Sequence, residues 1–298
     1  MNKLYFFLCI SAGILHIVVT QENVTRTVVT QQNVTRASPI EKRVFKPEAT
    51  PTCSDQNFNT KFYVGLQKPL RHHYCGGTLL NARWVLTSAQ CQTNGLIAAV
   101  GINDVLDVDV WTEVARMFPY PHWNKKTNEH DIAIFELADP IQPNKVVEYV
   151  RLPDRLLASY EIEFEVCREP YFMGITYRDG ESKRDRLLCE DALHIEPWDD
   201  CIEKYGSIHL NTLCVSSYFE EADVCRGDLG GPMMCEEVQY AVISSQRCKG
   251  DKPITFTRLD PYLGFIKVGM QRSASQKMYM NGMVFVLLLL YNTIIMIK

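Results

Sequence analysis

The chain has 298 residues, a formal net charge of −4 and an apolar fraction of 46%. That length holds one large domain or two small ones, and the apolar fraction is ample for a core. A mildly acidic balance lacks the basic excess of nucleic-acid readers, so no nucleic-acid partner is expected.

In chain order, residues 1–20 read as a signal peptide. Lys3 gives the positive start and Leu4–Val19 is mostly apolar. A buried strand or helix is the alternative. A short repeat follows, Val18-Val19-Thr20-Gln21-Glu22-Asn23-Val24-Thr25-Arg26 and then Val28-Val29-Thr30-Gln31-Gln32-Asn33-Val34-Thr35-Arg36. Two copies are too few for a solenoid. Each holds an N-x-T sequon, which makes Asn23 and Asn33 candidate glycosylation sites. Segment 21–52 is polar and is predicted to be an extended stalk, with an unmodified tail as the alternative.

Residues 53–270 form the expected folded domain. Short apolar runs punctuated by turn residues recur at Lys61–Leu66, Trp84–Thr87, Leu96–Val100, Val110–Met117 and Ile132–Leu137. Runs of this kind predict strands and an all-β fold. Helix is expected only at Trp198–Tyr205 and Pro261–Val268. The acidic stretch Gly101–Glu113, with Asp104, Asp107 and Asp109, lacks calcium-ligand spacing and reads as a solvated loop. His72, His73 and His130 show no ligand spacing either, so no metal or other cofactor is expected.

In segment 271–298, the small residues Ser273-Ala274-Ser275 precede a largely polar spacer and the apolar run Met283–Ile297. This is the layout of a glycosylphosphatidylinositol attachment signal, with Ser273 as the candidate site. A membrane span over Met278–Ile297 and a soluble product are the alternatives. Either anchored form would place the domain on the outer face of the plasma membrane.

The chain has eleven cysteines. Cys9 falls in the leader, and the remaining even number reads as a disulfide framework in a secreted or surface protein. No C-x-x-C pair is present, which argues against metal.

Three blocks carry a resemblance. They are His73-Tyr74-Cys75-Gly76-Gly77-Thr78-Leu79-Leu80 with Trp84-Val85-Leu86-Thr87-Ser88-Ala89-Gln90-Cys91, then Asp131-Ile132-Ala133-Ile134-Phe135-Glu136-Leu137, and Asp223-Val224-Cys225-Arg226-Gly227-Asp228-Leu229-Gly230-Gly231-Pro232. In this order the chain resembles the trypsin-like serine proteases, over roughly 44–270. The resemblance implies two six-stranded antiparallel β-barrels with a cleft between them and a short terminal helix. It implies the pairs Cys53–Cys189, Cys75–Cys91, Cys167–Cys235, Cys201–Cys214 and Cys225–Cys248. It places the family's triad at Gln90, Asp131 and Leu229, where the family has His, Asp and Ser.

A carboxamide is no base near neutral pH, and leucine has no nucleophilic atom. Asp223 falls at the acidic base of the family's primary pocket, Ser244 on its wall and Gly227 in the oxyanion hole. Ile254 replaces a pocket glycine, which predicts a filled pocket, with Arg226 or Arg247 as the partner of a buried Asp223. Asp228 falls where the family pairs with the N-terminus made by activation cleavage. A worn cleavage site at Arg43-Val44 is the corresponding expectation.

The expected function is an inactive serine protease homologue that works by binding an extracellular protein, whether protease, inhibitor or receptor. An adhesion or recognition protein unrelated to proteolysis is the second reading. A weakly active endopeptidase is the remote third.

Overall fold

The computed structural model describes residues 5–11, 14–21, 24–28, 53, 58–69, 72–101, 108, 110–158, 161–175, 187–191, 193–217, 228–245 and 253–271. The chain divides into two compact units, Met1–Ala49 and Thr50–Lys298. The first holds a three-stranded antiparallel sheet of β1 (Tyr5–Ser11), β2 (Ile14–Gln21) and β3 (Val24–Val28). The apolar run and the first repeat copy are rich in Ile, Val and Thr, which favour the pleated chain.

The second unit contains two β-barrels. The first closes in the order β4 (Tyr63–Lys68), β5 (His72–Asn81), β6 (Trp84–Thr87), β9 (Ala133–Leu137), β8 (Val110–Pro119) and β7 (Ile97–Val100). Every predicted strand run falls on one of these strands. The solid burial of β6 and β9 explains why their sequences lack alternation. β9 carries one buried charge, Glu136, on the face away from the barrel core, which accepts from Arg116 Nε on β8 at 2.7 Å.

The second sheet runs β11 (Leu188–Glu190), β10 (Tyr171–Gly174), β14 (Pro232–Cys235), β15 (Val238–Ile243), β16 (Ile254–Arg258), β13 (Thr212–Ser217) and β12 (Leu193–Ile195). Its two outer strands, β11 and β12, are consecutive in the chain and separated only by residues 191–192. The edges are therefore halves of one interrupted strand, and the sheet is the second six-stranded barrel. All pairings in both barrels are antiparallel.

Two helices fall where the sequence placed them, and a six-residue π-helix at Glu161–Val166 was not expected. The first, α1, is Trp198–Tyr205, closed by Gly206 at φ 79°. A 3-10 turn at Asp260–Tyr262 leads into the terminal helix, α2, over 263–271. Among the described residues no helix is long and apolar enough to cross a membrane.

Each barrel has its own core, with Val64, Leu79, Val85 and Phe135 in the first and Val215, Met233, Ala241 and Phe256 in the second. Two further clusters join them. Tyr63 and Ala99 meet Tyr171, Met173 and Met234, while Leu86, Ile132 and Ile134 meet Val242, Leu259, Tyr262 and Ile266 of α2. Among the described residues four disulfides are formed: Cys53–Cys189, Cys75–Cys91, Cys167–Cys235 and Cys201–Cys214. A buried ion pair anchors the segment between the barrels. Arg258 grips Asp260 through Nε at 3.1 Å and a second nitrogen at 2.7 Å. Asp260 accepts the Leu157 N–H at 2.9 Å, and Arg258 donates to the Leu157 carbonyl at 2.8 Å.

Candidate functional site at the barrel junction

The site begins at a single 3-10 turn, Ala89–Cys91. Ser88 caps it, with its hydroxyl accepting the Gln90 N–H at 3.1 Å. The Cys75–Cys91 bridge ties the turn to β5. Gln90 is thereby aimed across the cleft. Asp131 arrives from the loop between β8 and β9, immediately before β9, and is fully buried.

Every partner of the Asp131 carboxylate donates to it. Gln90 Nε2 bonds Oδ2 at 2.8 Å and the Gln90 N–H bonds Oδ1 at 3.0 Å. The Ser88 hydroxyl shares its proton between the two oxygens at 2.8 and 2.7 Å, and Ser244 Oγ reaches Oδ2 at 2.8 Å. Burial raises the Asp131 pKa above the usual carboxylate value, and the bonds from Ser88, Gln90 and Ser244 oppose that rise. The second proton of Gln90 Nε2 goes to the backbone carbonyl of Ser244 at 2.7 Å. One amide thus joins a first-barrel carboxylate to a second-barrel strand end.

Leu229 sits in the turn 228–230 ahead of β14. Its carbonyl accepts the Gly76 N–H at 2.8 Å and lies 3.6 Å from Cys91 Sγ. Its side chain is 2% exposed and belongs to the first barrel's core with Cys75, Ala89 and Cys91. The structure therefore brings Gln90, Asp131 and Leu229 into one site. The arrangement offers donors to a buried carboxylate and an apolar plug, and neither Gln90 nor Leu229 presents a basic or nucleophilic atom.

The glycines around Leu229 have a packing reason. Gly230 has φ 83°, and a Cβ there would lie 2.2 Å from Thr87 Oγ1 and 2.5 Å from the Gly76 carbonyl. A Cβ on Gly76 would lie 2.8 Å from Gly231 Cα. The C-G-G and G-G-P blocks let the two barrels touch backbone to backbone, a need independent of the residue at 229.

Asp228 is buried against Gly174, whose Cβ, if present, would lie 2.1 Å from Asp228 Oδ1. Tyr63 is also fully buried. Burial first, and then the Asp228 charge, push its phenol well above the ordinary tyrosine value. Ile254 is buried on the same face of β16 as Phe256, within the second barrel's core. Asp223, Cys225, Arg226, Gly227, Arg247 and Cys248 lie outside the described residues, as do Asn23, Asn33, Arg43 and Ser273.

Sequence reasoning missed one member of the site, Ser88, and the role of another, Ser244. Ser88 reads as part of a motif, with no signal that its hydroxyl serves Asp131. Ser244 reads as a pocket wall, yet it supplies both a donor to Asp131 and an acceptor for Gln90. Among the described residues no cluster of three His, Cys, Asp or Glu is arranged to hold a metal ion.

The barrels, the cleft and its residues define a class, and the comparisons agree on it. The family model described as Trypsin matches residues 49–266. Trypsin of Sus scrofa is 29% identical over 201 residues, covering 65% of this chain and 84% of the relative. Cathepsin G of Homo sapiens is 25% identical over 213 residues, covering 70% and 81%. Among solved structures, neuropsin, a serine protease expressed in the limbic system of mouse brain, superposes with a TM-score of 0.62. It is 25% identical, and the match covers 71% of this chain and 95% of neuropsin. This chain belongs to the trypsin family.

Proposed function

We propose that this chain is a non-catalytic member of the trypsin family that acts by binding, as a cofactor, decoy or regulator of extracellular proteolysis. The observation that carries this reading is the state of the triad positions. Both protons of the Gln90 amide are engaged, one by Asp131 and one by the Ser244 carbonyl. Leu229 is packed into the first barrel's core. Acyl transfer by this family's chemistry needs a nucleophile and a base that takes and returns its proton. Leucine and a doubly donating amide supply neither. Ile254, buried at its position on β16, supports a primary pocket filled at the position where the family has glycine.

The disulfide framework supports an oxidising, extracellular setting. The leader and the Ser273 attachment signal place the domain on the outer membrane face in this proposal. The partner is an extracellular protein, held by a scaffold that keeps its shape without its chemistry.

The test treats the purified glycoprotein with a fluorophosphonate probe and an arginyl peptide substrate. The expected result is no labelled serine and no turnover above buffer. Labelling together with inhibitor-sensitive turnover would overturn the proposal. Crosslinking on expressing cells then identifies the partner. Capture of an active protease or a protease inhibitor supports a regulatory role, and capture of an adhesion receptor alone replaces it with recognition unrelated to proteolysis.

A further inference from the structure

We propose that His122, His130 and His209 form an acid-sensitive clamp that holds the loop carrying Asp131 onto the second barrel and releases it when His130 takes up a proton. Three separate segments meet in the clamp. His122 and His130 lie in the loop between β8 and β9, His209 precedes β13, and Tyr262 lies in the turn before α2. The His130 and His209 ring centroids are 4.2 Å apart, and those of His122 and His130 are 6.4 Å apart. Tyr120 packs against His130 at 5.2 Å and edge-on to Tyr262 at 5.0 Å.

The hydrogen bonds tie both rings to their neighbours. Asn211 Nδ2 donates to the Tyr262 hydroxyl oxygen at 3.1 Å, and that oxygen lies 2.7 Å from His130 Nδ1. The Asn211 N–H donates to His209 Nδ1 at 3.1 Å. That Nδ1 is an acceptor, a role closed to an imidazolium, in which both nitrogens carry protons. A proton on His130 therefore sets a cation against a neighbouring imidazole whose centroid is 4.2 Å away, the two planes tilted by 60°.

The charges facing His130 favour the neutral form. Burial, then His209, lower its pKa, and His122 adds to this; Glu129 is the carboxylate that opposes them. On the far side, burial pushes Tyr262 to about 12, so it stays a neutral phenol, and Arg258 and the buried Asp131 act on it with opposite signs. With its folded-state pKa depressed, His130 contributes stability in full above the ordinary imidazole value, about pH 6.5. That contribution is lost as pH falls below it toward the lower folded value.

The loop is also strained. His130 and Asn128 sit at φ 55° and 57°, in the left-handed region that non-glycine residues hold only when their surroundings over-determine it. Breaking the clamp removes part of what holds His130 there. Asp131 is the next residue, so release would loosen the junction through which Gln90 and Ser244 tie the barrels.

The experiment is hydrogen–deuterium exchange on the full glycoprotein at pH 7.5 and 5.5, corrected for intrinsic exchange. In the wild type, protection of peptides spanning 120–132 and 207–212 is expected to fall about tenfold at pH 5.5, while β5 and β6 keep theirs. His130→Asn, which tolerates the left-handed backbone, should exchange equally at both pH values in these peptides. Unchanged protection in the wild type, or the same acid-driven loss in His130→Asn, overturns the clamp. Should that variant fail to fold, Glu129→Gln decides. It removes the carboxylate favouring the cation, so the wild-type release midpoint should move to lower pH, and no shift or an upward one refutes the proposal.

Discussion

Leu229→Ser returns the family's residue to its position, and the structure predicts that this harms the fold. The leucine side chain is 2% exposed within the first barrel's core. Truncating such a leucine costs about 2–5 kcal/mol, through lost burial and the cavity left behind. The new hydroxyl enters an apolar site. Both protons of Gln90 Nε2 are engaged, and the Gly76 N–H already donates to the residue-229 carbonyl. An unsatisfied hydroxyl adds roughly 1–3 kcal/mol, less whatever the site recovers by collapse. A net loss of about 3–5 kcal/mol follows. At roughly 2–4 °C per kcal/mol for a domain this size, the melting midpoint should fall by about 6–20 °C. The assay is calorimetry at one fixed scan rate, since disulfide-bonded proteins often unfold irreversibly. Leu229→Met is the control and should cost less than about 1.5 kcal/mol. A Leu229→Ser midpoint within about 2 °C of the parent would refute the assignment of Leu229 to the core.

Asp260→Ala leaves the buried Arg258 without its carboxylate and the Leu157 N–H without its acceptor. Thermal unfolding should show a loss of about 3–5 kcal/mol, and an Arg258→Met, Asp260→Leu pair should lose less. Gln90→Ala removes one donor to Asp131 and the donor to the Ser244 carbonyl, a loss of about 1–3 kcal/mol by the same assay. Gln90→Glu should lose more at neutral pH, because it sets a second carboxylate beside a buried one, and should recover as pH falls and the pair takes up a proton. Non-reducing peptide mapping should return the four pairs of the structure together with Cys225–Cys248. A free thiol at Cys225 or Cys248 would remove the fifth.

Much of this architecture was legible in the chain. Trp84–Thr87 and Trp198–Tyr205 coincide with β6 and α1 because each is bounded by local signals that survive folding. The strand run Val110–Met117 ends two residues short of β8, whose last turn of pairing depends on β9 rather than on local pattern. Four of the cysteine pairs implied by the family resemblance are formed. The family resemblance implied the triad positions at Gln90, Asp131 and Leu229.

What those residues do was decided by the tertiary structure. Gln90 meets the Ser244 carbonyl across 154 positions of sequence, and Ser244 Oγ meets Asp131 across 113. No periodicity encodes contacts at such separations, because they arise only when two independently closed barrels dock. For the same reason Leu229, a substitution in one barrel's turn, became core of the other. The histidines, unremarkable by spacing, became a cluster of tilted rings at the junction. Sequence determined the family, the strands and the residue types that stand at Gln90, Asp131 and Leu229. Docking alone determined that these residues form a cross-bonded junction between the barrels.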